Sequence, residues 1–152
     1  MTAQVPETSI KSLYDQDFYL WIETTANLLR KGRLTELDIP NLLEEVESMG
    51  RSEKHALQSN LRVILMHLLK YKYQPSQRSN SWKSTIREHR KRLKITFKDS
   101  PSLKPYFYSV FDECYQDARE LAADETGLPL DTFPKESPFT LEETIDSDYL
   151  PD

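Results

Sequence analysis

The chain has 152 residues, of which 38% are hydrophobic and 30% are charged, with a formal net charge of −5. This length predicts one domain, and the single cysteine, Cys114, excludes a fold that depends on an internal disulfide. Residues 63–69 form the most apolar stretch, far short of the about 20 residues that span a bilayer. Residues 1–12 lack the features of a secretion signal, so we expect a cytoplasmic protein with no membrane role.

The first half of the chain predicts two helices. Residues 1–11 are expected to be a flexible lead, and an S-x-x-D capping box at Ser12 begins the first helix, which Gly32 ends. Its apolar face is spaced at three and four residues: Leu13, Phe18, Trp21, Ile22, Thr25, Leu28 and Leu29. Asp38 is placed to cap a second helix. Whether Gly50 breaks that helix is open; the apolar phase favours one long helix to about Tyr73.

The second half predicts two more helices and an arm. Ser81 is placed to cap a third helix that ends at Asp99, and Ser102 a fourth that Gly127 ends. The segment from residue 128 holds four prolines, scattered apolar residues and a T-x-x-E capping box at Thr140. We therefore predict an all-α single domain over 1–152. It comprises a bundle of about four amphipathic helices (12–127) and a Pro-rich arm with a short helix (128–152), packed on the core.

The third predicted helix is strongly basic, whereas the C-terminal part of the chain is acidic. Residues 78–98 contain eight Lys or Arg and one acid, and residues 112–152 contain thirteen acids and two bases. The candidate anion-binding or partner-binding surface is Arg78, Lys83, Arg87, Arg90, Lys91, Lys94 and Lys98. Such a surface suits phosphates, a carboxylate-rich partner or the chain's own acidic segments. The overall pI of about 5.3 disfavours nucleic acid.

Motifs for catalysis and cofactors are weak or missing. Glu44, Glu45 and Glu47 lie in one helical turn and could join His67 in holding a divalent metal, but a glutamate-rich first turn is also what a helix dipole favours. We therefore predict no metal and no cofactor, with Glu44, Glu47 and His67 as weak metal candidates. His55 and His89 are expected to be solvated. Cys114 lies among apolar residues at helical spacing, as an inert thiol does.

Several blocks of the sequence together resemble one known family. They are LDIPNLLEEVESMGRSE, LRVILMHLLKYKYQP, SWKSTIREHRKRL and FPKESPFTLEETIDSDYLP. From about Tyr14 to Pro151 the chain is similar to domain of unknown function twenty-nine, a bacterial family common in cyanobacteria. Tyr71 stands where that family often has Trp. The resemblance implies a helical, cytoplasmic protein and no assigned activity, cofactor or catalytic residue.

The family's signature blocks fall on polar and aromatic residues that could form one buried network or line a pocket. They are Glu44, Glu45, Glu47, His67, Lys70, Trp82, Arg87, Arg90, Tyr115 and Arg119. The leading functional hypothesis is a non-catalytic protein-interaction module, with a protein partner or self-association. One alternative is an enzyme, in which Glu44, Glu47 and His67 work with Arg87 and Arg90. A second is nucleic-acid binding through the basic third helix.

Overall fold

The computed structural model describes residues 7–152, with side-chain environments from Ile10 onward. Within that range the fold is all-α without strands, which confirms the predicted fold class. The helices are α1 (Glu7–Gln16), α2 (Phe18–Arg30), α3 (Ile39–Tyr73), α4 (Asn80–Asp99), α5 (Lys104–Thr126) and α6 (Leu141–Ile145). No helix in the described residues is long and apolar enough to cross a membrane.

The described residues fall into two compact units, which divide between Ser52 and Glu53. The first unit holds α1, α2 and the start of α3. The second holds the remainder of α3, then α4, α5, α6 and the C-terminal arm. Helix α3 runs for 35 residues through the division, so Gly50 lies inside a continuous helix, as the apolar phase favoured. The single domain over 1–152 stays a prediction.

The first unit departs from prediction at its N-terminal end. Helix α1 begins at Glu7, so Ser12 is not its cap; residues 7–11 are helical, and residues 1–6 of the predicted lead lie outside the described residues. The expected first helix is two helices, because Asp17 leaves helical geometry and its side chain accepts a hydrogen bond from the Leu20 backbone at 3.1 Å. An aspartate that caps a following helix ends the preceding one.

The second unit is built on one buried cluster to which three helices and the arm contribute. Helix α3 supplies the largest apolar row, all of it fully buried: Leu57, Leu61, Ile64, Leu65, Leu68 and Leu69. Helix α4 adds Ile86 and Leu93, and α5 adds residues from Phe107 to Ala122. Phe133 and Phe139 of the arm are members of the same cluster, so the arm is part of this core.

In the second unit, the local backbone geometry decides which residue caps a helix, and the residue type alone does not. Ser79, not Ser81, caps α4, because Ser79 has the extended backbone that an N-cap needs and its Oγ accepts from the Trp82 N–H. Ser102 lies inside a 3-10 turn (Pro101–Leu103) and does not cap α5. Gly127, at φ 71°, ends α5 as predicted, and the capping box at Thr140 is present.

Candidate functional site

Helix α4 carries both the basic surface and part of the core. Ile86, Arg90 and Leu93 follow one another at helical spacing, and all three are buried. Arg90 is only 5% exposed, which corrects its assignment to the basic surface. The other basic residues of α4 on that surface are exposed: Lys83, Arg87, Lys91, Lys94 and Lys98.

The Arg90 guanidinium binds backbone carbonyls of the C-terminal arm. Its Nε donates to the Thr144 carbonyl at 2.9 Å, and its two terminal nitrogens donate to those of Tyr149 at 2.8 Å and Glu143 at 3.1 Å. Two of these carbonyls belong to α6, and that of Glu143 also accepts from the Asp146 N–H at 3.3 Å. Burial lowers the pKa of Arg90. Arg90 therefore joins the arm to α4.

A groove of about 560 Å³ lies beside this contact. Its wall on α4 and α5 is basic, its wall on the arm carries two aspartates, and its floor is apolar. The lining residues are Arg87, Arg90, Lys91, Leu93, Lys94, Phe97, Lys104, Ile145, Asp146, Ser147 and Asp148. The Lys104 ammonium sits 4.4 Å from the centre of the Phe97 ring. This volume is typical of small-ligand sites, and charged side chains outnumber apolar ones in its lining.

A second set of side chains, on α5, holds the arm at its other end. Arg119 Nε donates to the Phe133 carbonyl at 2.8 Å, and the Tyr115 hydroxyl donates to that of Pro134 at 2.6 Å. Burial raises the pKa of Tyr115 to about 12, so its hydroxyl stays a donor. The polar groups of Tyr115 and Arg119 are therefore engaged in anchoring the arm.

A separate contact joins Lys70 of α3 to Trp82 of α4 and to Glu125 of α5. Lys70 is 8% exposed, its ammonium lies 4.8 Å from the centre of the Trp82 ring, and Glu125 is 3.6 Å away. A buried ammonium needs such partners, because its desolvation is costly. The contact ties α3 to α4 and α5.

Two histidines of the second unit have shifted pKa values: His67 on α3 and His89 on α4. His67 Nδ1 lies 2.9 Å from the Val63 carbonyl, and His89 Nδ1 lies 2.7 Å from the Asn60 side-chain oxygen. Burial lowers the pKa of both rings, and the nearby His67 ring further lowers that of His89. His89 is half-buried, contrary to the expectation that it is solvated. The contact between Asn60 and His89 was not predicted. A lone Asn within the apolar row of Leu57 and Leu61 does indicate a buried polar contact at that position.

The three glutamates of the predicted site make contacts inside the first unit. Glu44 lies 2.8 Å and Glu47 lies 4.0 Å from Arg51, and Glu45 accepts a hydrogen bond from the Tyr14 hydroxyl. That bond raises the pKa of Tyr14 to about 12. The three glutamates belong to the first unit and His67 to the second. Among described residues no group of three or more His, Cys, Asp or Glu side chains is placed to hold a metal ion.

The first unit also exposes two apolar rows. The exposed stripe of α2 is Tyr19, Ile22, Ala26 and Leu29, spaced at three, four and three residues. The exposed stripe of α3 is Ile39, Leu43 and Val46, each more than half exposed. These three precede the buried Leu57, Leu61 and Ile64 by eighteen residues each, which is five helical turns. The same apolar spacing of α3 is therefore exposed near the start of the helix and buried in its later part.

Comparison with known proteins identifies the family. The model for the domain of unknown function DUF29 matches residues 13–150. The chain belongs to the DUF29 family. No curated protein and no solved structure matches it. The match spans the groove, the arm and both exposed stripes.

One more buried contact of this DUF29 protein lay outside the sequence prediction. Asp38, expected as a helix cap, is 3% exposed and accepts hydrogen bonds from Trp21 Nε1 at 3.2 Å and Asn41 Nδ2 at 2.7 Å. Both bonds go to one carboxylate oxygen, and the other has no partner among the described residues. The Trp21 and Asp38 pair holds α2 to the start of α3.

Proposed function

We propose that this DUF29 protein is a non-catalytic interaction module, and that its partner is a second copy bound through the exposed stripes of α2 and α3. One observation carries the proposal. Of the fourteen exposed large hydrophobic side chains among the described residues, ten lie between Phe18 and Met49. Scattered exposed apolar residues are ordinary, but a concentration of this kind marks an interaction surface.

The spacing of the stripes favours a helical occupant. In the second unit, the later row of α3 packs against helices, with Leu57, Leu61 and Ile64 fully buried. The same spacing recurs at Ile39, Leu43 and Val46, so the same ridges are available for helix packing. Burying a side chain of this type contributes about 1.5–3 kcal/mol relative to leaving it exposed.

A second copy fits this surface because both stripes are apolar and can pair about a two-fold axis, where each copy offers the same patch. The negative charge beside the α3 stripe is partly offset. Glu44 and Glu47 share Arg51, and Glu45 accepts a hydrogen bond from Tyr14. Glu23 and Arg30 on α2 likewise bring both signs.

The chemistry of the potential nucleophile supports a non-catalytic role. Burial raises the pKa of the Cys114 thiol to about 11, so almost no thiolate is available at neutral pH. In the enzyme alternative, Arg90 is a group that binds an anion. Its guanidinium instead donates hydrogen bonds to three backbone carbonyls of the arm.

Sedimentation equilibrium of the full chain tests the proposal. We expect a concentration-dependent dimer, and a monomer for the double variant Leu43→Glu with Val46→Glu, since each new carboxylate would be buried without a partner. The matched control is Ile95→Glu with Leu121→Glu, which adds the same charge at exposed apolar positions of the second unit. Circular dichroism establishes that both variants fold.

Two outcomes would overturn self-association through this surface. One is a strict monomer at all accessible concentrations of the wild-type chain. The other is an equal loss of dimer in both double variants, which would show a non-specific effect of charge. A wild-type monomer that binds a different protein through the stripes would also overturn the choice of a second copy.

A further inference from the structure

We propose that the groove between α4 and the arm binds an amphiphilic organic anion, namely a carboxylate or phosphate monoester on an aliphatic body. This site is separate from the exposed stripes, and the inference does not depend on self-association. Three features of the groove carry it: unpaired cations on one wall, an apolar floor and fixed aspartates on the other wall.

The cationic wall is available to a ligand. Arg87, Lys91 and Lys94 line the groove and are exposed. None of the ion pairs within the described residues includes them, although thirteen acids lie in residues 112–152. Side chains from successive turns of one helix converge on an anion placed above them, and charge-assisted hydrogen bonds hold it.

The floor selects for an apolar body. Leu93 is fully buried, and Phe97 and Ile145 are partly buried beside it. The Lys104 ammonium covers the Phe97 ring and extends the cationic wall towards this floor. A simple inorganic anion would leave the floor uncovered, whereas an aliphatic chain would remove it from water.

The aspartate wall gives the site a direction and disfavours a polyanion. Asp146 and Asp148 follow α6 directly, and Arg90 fixes that segment through Glu143, Thr144 and Tyr149. A single anionic head can lie against α4 while its chain points away from the carboxylates. A nucleic-acid backbone would bring many phosphates near both aspartates and meet like-charge repulsion.

The test is a titration of the ¹⁵N-labelled full chain with octanoate and octyl phosphate, followed by amide chemical shifts. We expect shifts at the groove face of α4 and at residues 145–148. The variant Lys91→Glu with Lys94→Glu should weaken binding at least about tenfold, as loss of charge-assisted contacts does. The matched control, Lys83→Glu with Lys98→Glu, makes the same charge change on the same helix outside the groove and should change affinity by less than about twofold.

Inorganic phosphate and octanol separate the two parts of the ligand. We expect both to bind much more weakly than octyl phosphate, since inorganic phosphate contacts only the cationic wall and octanol contacts only the apolar floor. Equal binding of inorganic phosphate and octyl phosphate would overturn the apolar part of the inference, and equal weakening in both double variants would overturn the assignment to this groove. Binding to phosphatidic acid vesicles or duplex DNA without binding of either soluble amphiphile would also overturn it.

Discussion

The Arg90 guanidinium donates a hydrogen bond to the backbone carbonyl of Thr144, 54 residues later in the chain. Both residues are buried, and Thr144 is completely so. Two more carbonyls of the same segment accept from Arg90, so one side chain of α4 supplies donors to three backbone groups of the arm. This contact sets one wall of the groove.

Replacing Arg90 with Leu is expected to lower the free energy of unfolding by about 2–4 kcal/mol, because the arm carbonyls lose charged donors while remaining buried. Urea unfolding measures this loss, and hydrogen exchange should show faster opening of residues 141–150. The control is Arg92→Leu, which breaks an exposed pair with Glu88 and should cost at most about 1 kcal/mol. Equal effects of the two substitutions would contradict the role given to Arg90.

The two glycines Gly50 and Gly127 should respond in opposite directions to replacement by Ala. At Gly50 a Cβ meets no atom within 4 Å, so Ala should stabilise the helix by about 1 kcal/mol. At Gly127 the φ of +71° is strained for Ala, so destabilisation of about 1 kcal/mol is expected. Thermal and urea unfolding measure both, and a destabilised Gly50→Ala variant would argue against a continuous α3.

Cys114 should be nearly inert to alkylation in the folded chain. Since its pKa rises from 9.0 to about 11, the thiolate population at pH 8 falls about a hundredfold relative to the unfolded thiol. Iodoacetamide labelling followed by mass spectrometry measures the rate, and the same reaction in concentrated urea is the control. Rapid labelling of the native chain would contradict the buried position of the thiol.

Stability should fall as the solution becomes acidic, in part through His67 and His89. Burial lowers the pKa of both below the ordinary 6.5, so below that pH the unfolded chain binds protons that the folded chain does not. Their contribution is therefore present above about pH 6.5 and is lost as the pH falls towards the lowered pKa values. Urea unfolding at pH 7.5 and 5.5 measures the drop.

Variants separate these histidines from titrating carboxylates. His67→Gln should reduce the drop in unfolding free energy between the two pH values, whereas His55→Gln, at an exposed position, should leave it unchanged. A drop of the same size in both variants would mean that His67 takes no part.

The helical class, the long α3, the end of α5 at Gly127 and the capping box at Thr140 could all be predicted from the amino-acid pattern. These features depend on apolar periodicity and on local backbone preferences, which neighbouring residues largely decide. The break at Asp17 and the cap at Ser79 were mispredicted, because several polar residues in each segment can cap a helix and the surrounding packing selects one of them.

The contacts of the polar residues, in contrast, depend on how the helices and the arm pack together. Arg90 lies within a run of basic residues and, by composition, belongs with the surface. Its position between Ile86 and Leu93 turns it inward, and the carbonyls that it binds are supplied by a segment more than fifty residues away. Arg119 with the Phe133 carbonyl and His89 with the Asn60 side chain likewise pair residues that lie 14 and 29 positions apart in the chain. A hydrogen bond between distant segments depends on where the packed core brings them together, and local patterns in a single sequence do not specify that position.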